Sequence, residues 1–186
     1  MFMSKEIERE VRYLINDEIE NNIINNCVIE KEKYYTIDIV VGYDGFNSLN
    51  KYGYIIRIRN KGQKIYIESK KRLSDGSWSE ARISINDMKE ALNFLINIGY
   101  KPYLIIERER TKLKYHDLKI FVDNVNLLGK FAEIEYQDSN LDEVKKFIDM
   151  VKIVNNPQKL YGDIFQEKVK EKEFNQEFQD LVKKYI

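Results

Sequence analysis

Three carboxylates in residues 118–135, LKIFVDNVNLLGKFAEIE, are spaced for metal chemistry. The segment reads as two strand-like runs around a turn carrying Gly129. In the second run Phe131, Glu133 and Glu135 share one parity, and Ala132, Ile134 and Tyr136 share the other. Strand side chains alternate in direction, so both glutamates project from one face, roughly 6.5–7 Å apart. Asp123, on the preceding run, can reach the same side. Three carboxylates on one face repel each other unless cations sit among them. Hard oxygen donors of this kind suit Mg2+ or Mn2+.

The elements that must hold these groups are strands. About eight can be counted by alternation, at 6–15, 32–41, 54–60, 64–72, 78–85, 103–115, 118–124 and 130–137. In the first, Glu6, Glu8, Glu10, Arg12 and Leu14 lie opposite the mainly apolar Ile7, Arg9, Val11, Tyr13 and Ile15. Residues 54–72 read as a hairpin turning at NKGQ, with Arg57 and Arg59 opposite Ile56 and Ile58, and with Tyr66, Glu68 and Lys70 sharing a face. Trp78, Glu80 and Arg82 share the next such face, and Arg108 and Arg110 another. Trp78 could stack on a base; packing is the competing reading. Apolar stripes at helical spacing predict helices after Asn86 (Met88, Ala91, Leu92, Leu95, Ile96, stopped by Gly99) and after Ser139 or Asn140 (Leu141, Val144, Phe147, Ile148, Val151). Residues 17–30 read as a short helix and loop, 159–165 as a short element, and 166–185 as one charged helix.

The turns and short links favour an antiparallel sheet. Such a sheet commonly buries one apolar face and leaves the other wet. Here the polar face carries ionised groups of both signs on strand after strand. The expectation is an α+β fold: a closed or nearly closed eight-stranded antiparallel barrel, apolar face outward under helices, charged face lining a solvent-filled lumen. Eight strands enclose room for one small ligand. Inward acids would gather metal, and inward Arg and Lys would bind an anion, since the guanidinium fork suits phosphate oxygens. An ordinary twisted sheet with a wet charged face fits the same alternation.

Composition excludes several classes. At 186 residues the chain fits one domain, 1–186, with 166–186 as a C-terminal helical extension. Basic and acidic residues balance at 31 each, so bulk charge names no partner, and no DNA contact is expected. The single cysteine, Cys27, excludes an intramolecular disulfide, and the single His116 excludes a His-rich zinc site. No apolar run reaches membrane-spanning length and no signal-peptide core is evident, so a cytoplasmic location without membrane contact is expected.

Taken in order, these residues resemble the CYTH proteins, or triphosphate tunnel metalloenzymes, a family that includes class IV adenylate cyclases and thiamine triphosphatase. The N-terminal Glu-x-Glu-x-Lys strand of that family is matched by Glu8-Arg9-Glu10-Val11-Arg12, with Arg for Lys. Its basic pair resembles Arg57-Ile58-Arg59, its later lysine Lys70, and its Lys-x-Arg pair Arg108-Glu109-Arg110. Its Asp-x-Val-x-x-Leu-Gly-x-Phe-x-Glu-x-Glu run is matched by Asp123, Val125, Leu128, Gly129, Phe131, Glu133 and Glu135. Leu160-Tyr161-Gly162-Asp163-Ile164 loosely echoes its terminal element. The resemblance covers residues 5 to about 165, and the Asp123–Glu135 run is its specific part.

The resemblance implies metal-dependent chemistry on a small triphosphate, such as inorganic triphosphate or ATP. Glu8, Glu10, Asp123, Glu133 and Glu135 would hold one or two Mg2+ or Mn2+ ions. Arg12, Arg57, Arg59, Lys70, Arg82, Arg108 and Arg110 would bind the triphosphate, with Arg12, Glu8 and Glu133 in catalytic roles. Two departures matter. Arg12 cannot act as a base at ordinary pH. Arg82 stands where many members carry an acid. Hydrolysis is favoured over cyclisation of ATP to cyclic AMP and pyrophosphate, because no adenine pocket is legible. The cyclase, and a catalytically idle polyphosphate or nucleotide binder, stay open as alternatives. So does a homodimer through the C-terminal helix.

Overall fold

The computed structural model describes residues 9–62, 64–74 and 78–185. The strands are β1 (Arg9–Leu14), β2 (Val28–Gly42), β3 (Tyr54–Asn60), β4 (Ile65–Arg72), β5 (Trp78–Ile85), β6 (Lys101–Tyr115), β7 (Leu118–Val125) and β8 (Gly129–Tyr136). The helices are α1 (Asp17–Asn26), α2 (Ser48–Tyr52), α3 (Met88–Asn97), α4 (Leu141–Met150), α5 (Tyr161–Lys168) and α6 (Lys172–Tyr185). The fold is α+β, with the eight strands antiparallel in one sheet of order β1-β8-β7-β6-β2-β3-β4-β5. The order has two ends, β1 and β5, so the ladder is not a closed ring. Of the two expected forms, the nearly closed one is consistent with it.

The chain divides into two compact units. The first contains 109–124 and 129–158 besides the N-terminal residues to 34. Its core joins Tyr13 of β1, Ile19 and Ile23 of α1, Leu113 of β6, Leu118, Ile120 and Val122 of β7, Ala132 and Ile134 of β8, and Val144 and Phe147 of α4. Every strand residue in that set has the parity opposite to Glu10, Arg12, Arg110, Asp123 and Glu133 on its strand, as alternation requires. Helix α1 starts where the Asn16 side chain accepts from the Ile19 amide at 2.9 Å, with acids in its first turn to complement the helix dipole. The β7–β8 turn places Gly129 at φ +99°, a left-handed conformation suited to glycine.

The second unit contains 35–108, 125–128 and 159–186. Its core sets Ile39 and Val41 of β2 and Ile58 of β3 against Ala91, Leu92 and Leu95 of α3. Three expectations are corrected here. Asp87, not Asn86, caps α3, accepting from the Glu90 amide at 2.9 Å. Ile96, placed in the buried stripe by spacing, is 39% exposed. Residues 166–185 are not one helix: α5 ends at Lys168 and α6 begins at Lys172. The break lets Phe165 lie 5.7 Å from Phe174 and 5.5 Å from Phe178, ring to ring. On one straight helix, positions nine apart would be separated by about 13.5 Å. In the first unit, residues 28–30, read as loop, are the start of β2.

Phe147 is fully buried, 5.0 Å ring to ring from Tyr115, whereas Phe94 of α3 is 60% exposed. Phe147→Ala is expected to cost about 3–5 kcal/mol in urea denaturation. Phe94→Ala should stay within about 0.5 kcal/mol. Equal effects would contradict this assignment of the core.

Candidate active site

In the first unit the β1–β8 ladder sets Glu10 opposite Glu135 and Arg12 opposite Glu133. The alternate pairs, Val11 with Ile134 and Tyr13 with Ala132, face the core. Arg12 donates from Nη2 to Glu133 Oε2 at 2.6 Å and lies 3.5 Å from Glu10 Oε1. Arg110 of β6 makes a two-pronged contact with Asp123 of β7, at 2.5 and 2.6 Å, and reaches Glu133 Oε1 at 3.1 Å. Lys119 lies 3.7 Å from Glu135. Arg12, Arg110, Asp123 and Glu133 are all buried. The structure thus brings together Glu10, Arg12, Arg110, Asp123, Glu133 and Glu135; Glu8 lies outside the described residues.

Among the described residues, no three His, Cys, Asp or Glu side chains converge as a ready metal cage. The physical reason is that Arg12 and Arg110 stand among the carboxylates. The donor set nonetheless suits a divalent cation. Glu10 and Glu135 are direct cross-strand partners, and like charges so placed are unfavourable without shared positive charge. Their oxygens are the hard donors that Mg2+ or Mn2+ prefers.

In the second unit a second mixed-charge group is built on β2, β3, β4, β5 and β6. Arg59 grips Asp38 with two bonds, Nε to Oδ1 at 2.6 Å and Nη2 to Oδ2 at 2.5 Å. Arg108 reaches Asp38 Oδ2 at 3.4 Å and donates to Thr36 Oγ1 at 3.1 Å, and Arg57 lies 3.7 Å from Asp38. Arg57 also donates to Glu68 at 2.7 Å, and Arg82 lies 2.9 Å from the other oxygen of Glu68. Lys70 pairs with Glu80 at 2.6 Å. All five sequence-predicted cations of this unit therefore share one face. Burial raises the Asp38 carboxyl's pKa, but Arg59, then Arg57 and Arg108, pull harder and hold it well below the usual carboxylate range. Glu68 is likewise held down, against burial, by Arg57, Arg59 and Arg82. Lys61, two residues beyond Arg59, is pushed down to about 8 by burial and by Arg59.

The charged face is buried at Asp38, Arg59, Glu68 and Arg108, and at Arg12, Arg110, Asp123 and Glu133, whereas Glu80 and Arg82 of β5 are exposed; over its buried part the reading of a solvated sheet does not hold. Sequence reasoning gave no role to Asp38 or Thr36 and only a parity to Glu68. The signal for Asp38 was present: it is a lone acid in the β-branched run TIDIVV, on the parity opposite Ile37, Ile39 and Val41. Glu107, of opposite parity to Arg108, is held apart from this group. It accepts from Asn126, Lys184 and Tyr185 and so anchors the end of α6.

Asp38→Asn removes the charge that three guanidiniums surround and should destabilise the fold by about 3–5 kcal/mol. A control, Glu109→Gln at an exposed position, should stay within about 0.5 kcal/mol. Because the folded pKa of Asp38 is depressed, the wild-type advantage is fully present above the unfolded value of ~3.9 and shrinks as pH falls below it. Urea denaturation between neutral and acid pH checks both; a constant difference at all pH values would contradict the assignment.

Comparison with curated proteins finds no significant match. Solved structures share the fold. The PH1819 protein from Pyrococcus horikoshii matches with a TM-score of 0.72 and 22% identity, over 87% of this chain and 99% of that one. A candidate adenylate cyclase from Vibrio parahaemolyticus matches with a TM-score of 0.68 and 15% identity, over 88% and 99%. A candidate adenylyl cyclase from Hippeastrum, described as having a dominant triphosphatase activity, matches with a TM-score of 0.57 and 15% identity, over 80% and 88%. The sequence itself matches the CYTH domain over residues 6–163, and so the chain belongs to the CYTH family of metal-dependent tunnel enzymes.

Proposed function

We propose that the protein is a divalent-metal-dependent hydrolase of a triphosphate substrate. The observation that carries the reading is the β1–β8 register, which sets a glutamate pair, Glu10 and Glu135, beside an ion pair, Arg12 and Glu133. Glu10, Asp123, Glu133 and Glu135 would hold the metal, and Glu8, outside the described residues, belongs to the same proposed set. When bound, a divalent cation supplies charge neutralisation at phosphoryl oxygens and lowers the pKa of bound water.

The remaining work falls to side chains. Arg57, Arg59, Arg82, Arg108 and Lys70 bind phosphate oxygens and offset charge as it shifts in the transition state. Arg12 and Arg110 would do the same. Arg12 stays protonated throughout, so it positions rather than transfers protons. Glu133 would accept the proton of the attacking water as the water oxygen bonds to phosphorus and the phosphorus–oxygen bond to the leaving phosphate breaks, its electron pair departing with that phosphate. The Hippeastrum relative, described by a dominant triphosphatase activity, supports hydrolysis; the Vibrio relative supports ATP cyclisation as the second reading.

Purified protein incubated with inorganic triphosphate or ATP and Mg2+ or Mn2+, with products separated by anion exchange, tests this. Phosphate and pyrophosphate should form from inorganic triphosphate, and Glu133→Gln should lower the rate by at least about 100-fold. Cyclic AMP from ATP would replace hydrolysis with the cyclase, and no product from either substrate would refute both.

A further inference from the structure

Glu107 of β6 has the parity opposite to Arg108 and is 5% exposed. Its carboxylate accepts from Asn126 Nδ2 at 2.7 Å, from Lys184 Nζ at 2.7 Å and from the Tyr185 hydroxyl. Its backbone carbonyl accepts from the Asn126 amide at 2.9 Å. Burial raises the Glu107 pKa, but Lys184, Tyr185, Tyr35 and Asn126 together hold it down to about 2. All five residues lie in the second unit. Lys184 and Tyr185 end α6, which lies beyond residue 163, where the family match stops. Asn126 opens the turn from β7 to β8, and Leu127 within that turn has φ +68°. A left-handed leucine is unfavourable and persists only where its surroundings over-determine it.

We propose that Glu107 is a positioning residue: it clasps the end of α6 to the β7–β8 turn, and the clasp holds the carboxylates of those two strands in register for a metal ion. This rests on the reading of Asp123, Glu133 and Glu135 as metal ligands. The turn is the covalent link between the strand that carries Asp123 and the strand that carries the two glutamates. A shift of its backbone is therefore passed to both. Asn126 is tied to Glu107 twice, by main chain and by side chain, so the turn moves only if Glu107 moves. Glu107 is fixed in its turn by a charge-assisted bond from Lys184, stronger than a neutral one. An apolar residue at 107 would pack as well but would leave Asn126, Lys184 and Tyr185 without their acceptor. Side chains that support metal ligands from behind commonly tune metal affinity, and this clasp brings the C-terminal helix into that role.

Lys184→Met combined with Tyr185→Phe removes two donors and leaves Glu107, Asn126 and Tyr35 in place. Hydrogen exchange of the full chain, measured without metal, should quicken about 10-fold at residues 126–128 and stay unchanged in β3. Binding of Mn2+ alone, followed by the electron paramagnetic resonance of the free ion, should weaken about 10-fold. Lys184→Arg, which keeps a charged donor, should match the wild type in both measurements. Unchanged exchange at the turn would overturn the inference, and so would faster exchange spread evenly over the sheet, which would make the clasp a general support. Faster exchange at the turn with unchanged Mn2+ affinity would overturn it too and leave the metal reading intact. No Mn2+ binding by the wild-type protein would overturn the metal reading and the inference with it.

Discussion

Asp38 is an ionised carboxylate at 1% exposure, and its charge is tolerable only because Arg59, Arg57 and Arg108 surround it. Removing one partner from a buried ion pair costs several kcal/mol, because the other charge is left without compensation. The second unit's charged face is built around this requirement. Thr36 accepts a hydrogen bond from the Arg108 guanidinium, Glu68 accepts one from Arg57 on the other side, and Arg82 lies at ion-pair distance from Glu68. The first unit meets the same requirement with Arg110 between Asp123 and Glu133. Apolar side chains of similar volume would commonly stabilise a sheet as well or better. Charges kept at this density are therefore poorly explained by stability, which supports the proposed metal-dependent action on a triphosphate.

Alternation is what lets the same strands carry this face and a core. Ile58 lies between Arg57 and Arg59 and packs on α3; Ile134 lies between Glu133 and Glu135 and packs with α4. A one-residue register slip would exchange every one of these faces. The registers Arg57 with Glu68 and Arg12 with Glu133 thus tie charge compensation to core packing. That coupling explains how a chain of one-third charged residues specifies a single pairing.

This alternation was legible in the sequence, which is why β3 and β5 have the predicted bounds and the arginines and glutamates the predicted faces. The Asp123–Glu135 run was legible for the same reason, with its turn marked by Gly129. Ion-pair choice was not. Parity places Arg110 near carboxylates, but only the packed strands select Asp123 and Glu133 as its partners. Asp38 was marked only as a lone acid in an apolar strand, and with no second charge at its own parity in the run TIDIVV the alternation did not single it out. Adjacent Asn86 and Asp87 offer equivalent caps to a sequence argument, and the backbone chooses Asp87. The break between α5 and α6 has no proline or glycine to mark it; contacts of Phe165 decide it.

In the first unit arginines stand among carboxylates, and in the second carboxylates stand among arginines. Under the proposed function, metal and triphosphate each offset charge that the other would leave uncompensated, so their binding is coupled. Thermal melting with Mg2+ alone, triphosphate alone in chelator, and both together measures this coupling most directly. The expected result is a stabilisation by the pair well above the sum of the two separate shifts. A triphosphate shift as large in chelator as in Mg2+ would contradict it.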